Sequence, residues 1–187
     1  MAAYYFLVSQ LPSLGNIGEK SAMPLSESAF VELCSRYMTD SEKKVISTLS
    51  LVPPRENADT GSEFLNLWYQ KERDLRLALA QIRAQKMKKD VCTLPGSCTA
   101  DIQQAARTAV GMDSPLSAEQ FLYEYRLKLL DEITPIDGFS TDAVYAYGIR
   151  LMLVSRMKKF DGENGISSYH RIYDSILGQN NQNNLEK

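Results

Sequence analysis

The stretch from Thr60 to Lys89 constrains what this chain can fold into more than any other. Phe64, Leu67, Trp68, Leu75, Leu79, Ile82 and Met87 recur there at helical spacing and form one apolar face. Thr60 and Glu63 have the spacing of a capping box, with threonine serving one free amide and glutamate reaching back to another. The predicted helix is about 28 residues, or roughly 40 Å, long and ends in a basic turn before Asp90. A helix of that length braces other helices, and the rest of the chain supplies them.

Ser26 is the expected N-cap of a helix carrying Ala29, Phe30, Leu33, Cys34 and Tyr37 on one stripe. A short helix follows Asp40, with Val45, Ile46 and Leu49 inward, until Pro53-Pro54 stops it. Thr99 caps the next, which runs through Ile102, Ala105, Ala106 and Ala109 to Gly111. Ser117 and Gln120 repeat the capping-box spacing ahead of Phe121, Leu122, Tyr125, Leu129, Leu130 and Ile133. Thr141 opens a helix through Val144, Tyr145, Gly148, Leu151 and Met152 to Lys159. The last, Ile166 to Leu177, is expected to stop at Gly178. Tyr4 to Leu11 reads equally as a strand or as the first turns of a helix. The expected fold class is all-α, with about seven helices in stacked bundle modules. One compact domain would cover residues 1–178, and the amide-rich residues 179–187 would form a disordered tail.

Two stretches resemble each other. Pro24-Leu25-Ser26 and Phe30 match Pro115-Leu116-Ser117 and Phe121, four identities at an offset of 91 residues. Met87-Lys88-Lys89 matches Met157-Lys158-Lys159 at an offset of 70. An internal duplication, with half-modules 24–90 and 115–178, accounts for this, and so does the small vocabulary from which helix starts are drawn.

Composition excludes several kinds of chemistry. With 21 basic and 23 acidic residues the formal net charge is −2, which argues against binding driven by phosphate neutralisation. The single histidine, His170, excludes multi-histidine metal sites. As a catalytic base it would need a nucleophile, and no motif supplies one. Cys34, Cys92 and Cys98 are too few for a disulfide framework and fit a reducing cytosol. Cys34 falls among core positions. Cys92 and Cys98 flank a turn and could approach each other, although two unpaired thiols at a loop is the simpler reading. Asp131-Glu132 and Asp137 lie at a helix end, where solvated acids are ordinary. No glycine-rich phosphate loop is present. No catalytic, cofactor or metal site is expected, and no run is apolar enough to span a bilayer. The expected location is cytoplasmic, with any membrane association made through partners.

Two basic turns remain, Arg83, Lys86, Lys88 and Lys89, then Arg156, Lys158 and Lys159. Cations at helix C-termini are favoured by the macrodipole, which is a sufficient structural reason for them. They are equally the candidate surface for docking an acidic partner. Several of the ten tyrosines adjoin or alternate and so cannot all face one core. Core edges are the commoner explanation, and an excess facing outward would suit an assembly subunit.

The opening Tyr4-Tyr5-Phe6-Leu7-Val8-Ser9-Gln10-Leu11-Pro12, with Pro24-Leu25-Ser26 and Phe30-Val31-Glu32-Leu33-Cys34, resembles an uncharacterised bacterial family encoded among V-type ATPase genes. Asp74-Leu75-Arg76-Leu77-Ala78-Leu79, followed by Ile82-Arg83-Ala84-Gln85-Lys86, is loosely similar to the long helices of the ATPase C subunit (the eukaryotic d subunit). The chain has room for about two such modules where that subunit has three, and lacks the asparagine expected after Asp74. The resemblance implies a non-catalytic subunit or accessory protein of the ATPase, coupling the central stalk to the membrane ring. The alternative is a helical regulatory or adaptor protein with another cytosolic partner.

Overall fold

Serine and threonine oxygens set where the helices begin. In the computed structural model, which describes residues 4–15, 21–54, 59–90, 93–160 and 162–185, there are eight helices and, among the described residues, no strand. They are α1 (Tyr5–Ser9), α2 (Glu27–Tyr37), α3 (Asp40–Ser47), α4 (Glu63–Lys86), α5 (Ala100–Gly111), α6 (Pro115–Ile133), α7 (Thr141–Met157) and α8 (Gly162–Leu185). The fold is all-α. Ser26 caps α2 as expected, its Oγ accepting from the Ala29 amide at 3.1 Å.

Several caps fall elsewhere than the sequence suggests. The cap of α4 is Ser62, which accepts from the Leu65 amide, while Thr60 instead donates to Asn66 Oδ1. The helix is therefore 24 residues, about 36 Å, rather than 28. Ser114 caps α6, with Pro115 in the first turn where its missing N–H costs nothing, so Ser117 lies one turn inside. Ser26 and Ser117, aligned by the internal match, thus occupy different positions relative to their helix starts. The capping box that does form is Thr39 with Glu42, ahead of α3. Tyr4 to Leu11 resolves as a short helix, α1. The last helix continues through Gly178 to Leu185, into the residues expected to be disordered; one interior glycine costs only about 1 kcal/mol and cannot by itself end a helix.

The apolar side chains make two clusters. In the larger, Phe30 of α2, Ile46 of α3, Leu65 and Trp68 of α4, Leu130 of α6, and Val144, Ile149 and Leu151 of α7 pack together, with Tyr4 and Leu7 beneath α1. In the smaller, Leu75, Ala78 and Leu79 of α4 meet Ile102, Ala106 and Ala109 of α5 and Leu122 of α6. Helix α4 serves both, as the brace expected of it. Gly148 allows α7 to lie against α2 and α3: a Cβ there would come 2.7 Å from Leu49 Cδ2 and 2.9 Å from Phe30 Cε1.

Polar contacts give the helix directions. Ser62 Oγ donates to Asp142 Oδ1 at 2.6 Å, so α4 and α7 start side by side. Glu72 of α4 meets Arg126 of α6, and Glu119 of α6 meets Arg156 of α7. Helix α6 therefore runs antiparallel to both, and the C-termini of α4 and α7 point toward its beginning. Ser97 reaches Asp74 and Lys86 reaches the Val110 carbonyl, which lays α5 parallel to the second half of α4.

Candidate partner-docking surfaces

The two basic turns lie at the same end of the bundle, because α4 and α7 run in the same direction. Their cations are not equivalent. Lys86 donates to the Val110 carbonyl, Arg156 pairs with Glu119 at 2.9 Å, and Lys158 donates to the Ser21 carbonyl. Those three fasten the helix ends to neighbouring segments. Arg83, Lys88, Lys89 and Lys159 are exposed. Lys88 closes α4 with φ at +53°, where the Lys89 amide donates back to the Ala84 carbonyl at 3.0 Å. A left-handed residue in that place is normally glycine, so the position holds a cation at a conformational cost.

Sequence periodicity gave no sign of the charged joint at the middle of α4. Glu72, only 1% exposed, accepts from Arg126 Nε at 2.8 Å and Nη2 at 2.9 Å, and from Arg76 Nε at 2.8 Å. The partners are 54 residues apart, beyond any local pattern. Asp74, two residues on, is also buried. Its Oδ1 accepts from Ser97 at 3.1 Å, while Oδ2 meets no donor. A groove of about 560 Å³ runs along the outer side of α4 past Asn66, Tyr69, Gln70, Arg73, Asp74 and Leu77. Along it Arg73 donates to the Pro54 carbonyl and Asp59 accepts from Asn66 and the Gly61 amide.

The tyrosines divide between inside and outside. Tyr4, Tyr69 and Tyr145 are buried, and burial pushes the Tyr4 hydroxyl up to about 12, helped by its 2.5 Å bond to Glu42. Tyr147 is half-buried, donates to the Pro12 carbonyl and is likewise raised by burial to about 12. Tyr5, Tyr37, Tyr169 and Tyr173 are exposed. Two of these stand where α1 meets α2: the Tyr5 ring lies 4.5 Å from Phe139, and Tyr37 lies 5.5 Å from Phe6, centroid to centroid. The other two lie on α8, where Ile166, Tyr169, Ile172, Tyr173 and Ile176 form one exposed stripe. Helix α8 is not among the helices that pack substantially on one another.

His170 is exposed on α8, edge-on to the Tyr169 ring. Cys34 takes its expected core position, where burial raises the thiol to about 12 and keeps it protonated. Cys98 is buried too, its thiol raised by burial and then by Asp74 and Asp101. Cys92 lies outside the described residues. Among the described residues no three acids, cysteines or histidines gather as they would around a metal ion, and no helix is long and apolar enough to cross a membrane.

A comparison with curated proteins found no match, and neither did one with solved structures. A family model does match, over residues 17–113, a span that takes in α2 through α5 and the whole of the brace. The chain belongs to the family DUF2764, described as a protein of unknown function.

Proposed function

We propose that this chain is a non-catalytic subunit or accessory protein of a bacterial V-type ATPase, seated between the central stalk and the membrane ring. The observation that carries the reading is α8. It is a helix whose isoleucines and tyrosines lie along one stripe and stand half to two-thirds exposed. Such a stripe suits burial in a groove between helices of a partner. The partner is suggested by the resemblance of Tyr4–Pro12 to an uncharacterised family encoded among V-type ATPase genes and by the loose similarity of Asp74–Lys86 to the long helices of the ATPase C subunit. A braced bundle supports a mechanical role, because α4 ties both clusters together and would pass torque along a stiff axis. The exposed cations at the ends of α4 and α7 would meet an acidic surface of the stalk or ring, and association with the membrane face would be made through those subunits.

Affinity purification of the tagged full chain from its native cells tests this. ATPase subunits are expected to co-purify, and replacing Ile166, Tyr169, Ile172, Tyr173 and Ile176 by serine should release them. Recovery free of every ATPase subunit, from extracts in which the ATPase stays assembled, would sink the proposal and leave the adaptor reading.

A further inference from the structure

Asp74 is buried next to the ionic joint of α4 but takes no part in it. The residue is 2% exposed, its Oδ1 accepts from the Ser97 hydroxyl at 3.1 Å, and its Oδ2 has no donor. A buried polar atom is nearly always paired, so an exception asks for a partner of its own. Cations stand close by in the helix, yet none serves. Arg73 is turned to the Pro54 carbonyl and Arg76 to Glu72, and Lys71 does not donate to Oδ2 either. The fold therefore keeps an acceptor for which it supplies no donor.

That acid lines the groove on the outer side of α4. Asn66, Gln70, Arg73 and Leu77 follow one another at helical spacing along it, with Asp74 on one flank and Tyr69 on the other. Ser97, which reaches Asp74, belongs to the wall on that flank together with Pro95. Gln70 and Leu77 are exposed, so the groove opens to solvent. Its volume of about 560 Å³ falls within the roughly 300–1,000 Å³ of small-molecule sites.

The chemistry of the occupant follows from the lining. Asp59 and Asp74 against Arg73 leave one negative charge over, which a single cationic group balances. A metal ion would want several more oxygens, and no cluster of acids gathers there among the described residues. Oδ2 is shut off from bulk water, so the donor that meets it has to be compact. An ammonium is compact, whereas a guanidinium is a broad planar fork. Leu77, Pro95 and the Tyr69 ring offer apolar surface for methylene groups behind the nitrogen.

We infer that this groove binds a small primary alkylamine, its ammonium donating to Asp74 Oδ2 and its alkyl chain lying along Leu77 and Pro95. The site uses neither the α8 stripe nor the basic helix ends, so it stands or falls independently of the ATPase reading.

The test titrates the full chain, labelled for amide NMR, with n-hexylammonium, with 1-hexanol and with hexanoate. The ammonium should give saturable shifts at the α4 amides around Asp74 and at Ser97. The alcohol, equal in length but uncharged, and the anion should leave those amides where they are. Asp74→Asn keeps the shape of the side chain and removes its charge, and should weaken n-hexylammonium binding about tenfold or more. Leu77→Lys changes a side chain that is 40% exposed and sets an ammonium of the chain's own three residues from the acid. It should abolish binding, and it decides the matter if Asp74→Asn does not fold. The inference is overturned by any of four results: no saturable shift with n-hexylammonium, shifts confined to another face, equal shifts with 1-hexanol, or unchanged binding in either folded variant.

Discussion

In the variant Glu72→Met, Arg126 would keep its charge at a position only 7% exposed while losing carboxylate contacts at 2.8 and 2.9 Å. Removing one partner of a buried pair costs about 3–5 kcal/mol, because the remaining charge is left without compensation. Native proteins hold about 5–15 kcal/mol in total, so the variant should lose a large share of its stability. Arg126→Met is the milder change. Glu72 would still hold Arg76 at 2.8 Å, and the Arg76 side chain is 37% exposed, close enough to water to screen what remains. The loss should sit near 3 kcal/mol, the low end of the range. The double variant Glu72→Met/Arg126→Met removes both charges from the interior and fills their place with side chains of similar length. It should be close to the wild type, because the desolvation cost of the pair disappears with the pair. The four proteins form a cycle in which the single changes sum to about 6 kcal/mol or more while the double costs little, so the coupling should be about 6 kcal/mol or more. Urea unfolding measures it, with far-UV circular dichroism alongside the fluorescence of Trp68, the only tryptophan, which is fully buried. Additive single effects, or a Glu72→Met cost below about 1 kcal/mol, would show that the joint does not hold α4 to α6 as described.

Other outcomes follow from single positions. Gly148→Ala gains about 1 kcal/mol of helix propensity but drives a methyl group into Phe30 and Leu49, and the net change in urea unfolding should be a loss of about 1–2 kcal/mol. Lys88→Gly should raise stability by about 1 kcal/mol by relieving the left-handed backbone, while removing one cation from the basic end. Burial pushes the Glu42 carboxyl up, but bonds from the Thr39 hydroxyl, Tyr4, the Thr39 amide and Thr141 outweigh it and hold the group below its ordinary 4.5. A depressed folded value means that this contribution is complete above the ordinary carboxylate range and is lost as pH falls through the folded one. The stability gap between wild type and Glu42→Gln should therefore be widest at neutral pH and narrow below about 4.5, which denaturant midpoints across pH will show.

What could be read from the sequence was what local spacing determines. Ser26 and its stripe predicted α2, and the apolar rows of α4 to α7 predicted the class. The caps were harder, because Thr60 and Ser62 stand two residues apart and either could serve α4. Packing chose Ser62, whose hydroxyl also reaches Asp142, 80 residues away. For α6 the capping-box spacing pointed to Ser117, whereas Pro115, suited to a first helical turn, places the cap at Ser114. Tyr4 to Leu11 stayed open between strand and helix, because tyrosine and valine favour a strand while no partner strand exists among the described residues to hold one. The candidate surfaces were partly legible. The basic turns were visible as residue runs, and the structure supplied which cations are committed to carbonyls and to Glu119. Tyr5 and Phe6 sat in plain view in the opening motif, but only the anchoring of Tyr4 and Leu7 decides that they face outward.

The two apolar clusters have different histories along the chain. The smaller draws on residues 75 to 122, which are neighbours in sequence, so it closes at little loop entropy and can assemble early. The larger must bring Tyr4 to Phe139 and Glu42 to Thr141, the latter pair 99 residues apart, and is the slower to form. Helix α4 belongs to both, with its ionic joint between them. Native-state hydrogen exchange should accordingly resolve two cooperative units. The amides of α4 on the two sides of Glu72 would then exchange with different free energies, although a single helix carries them all.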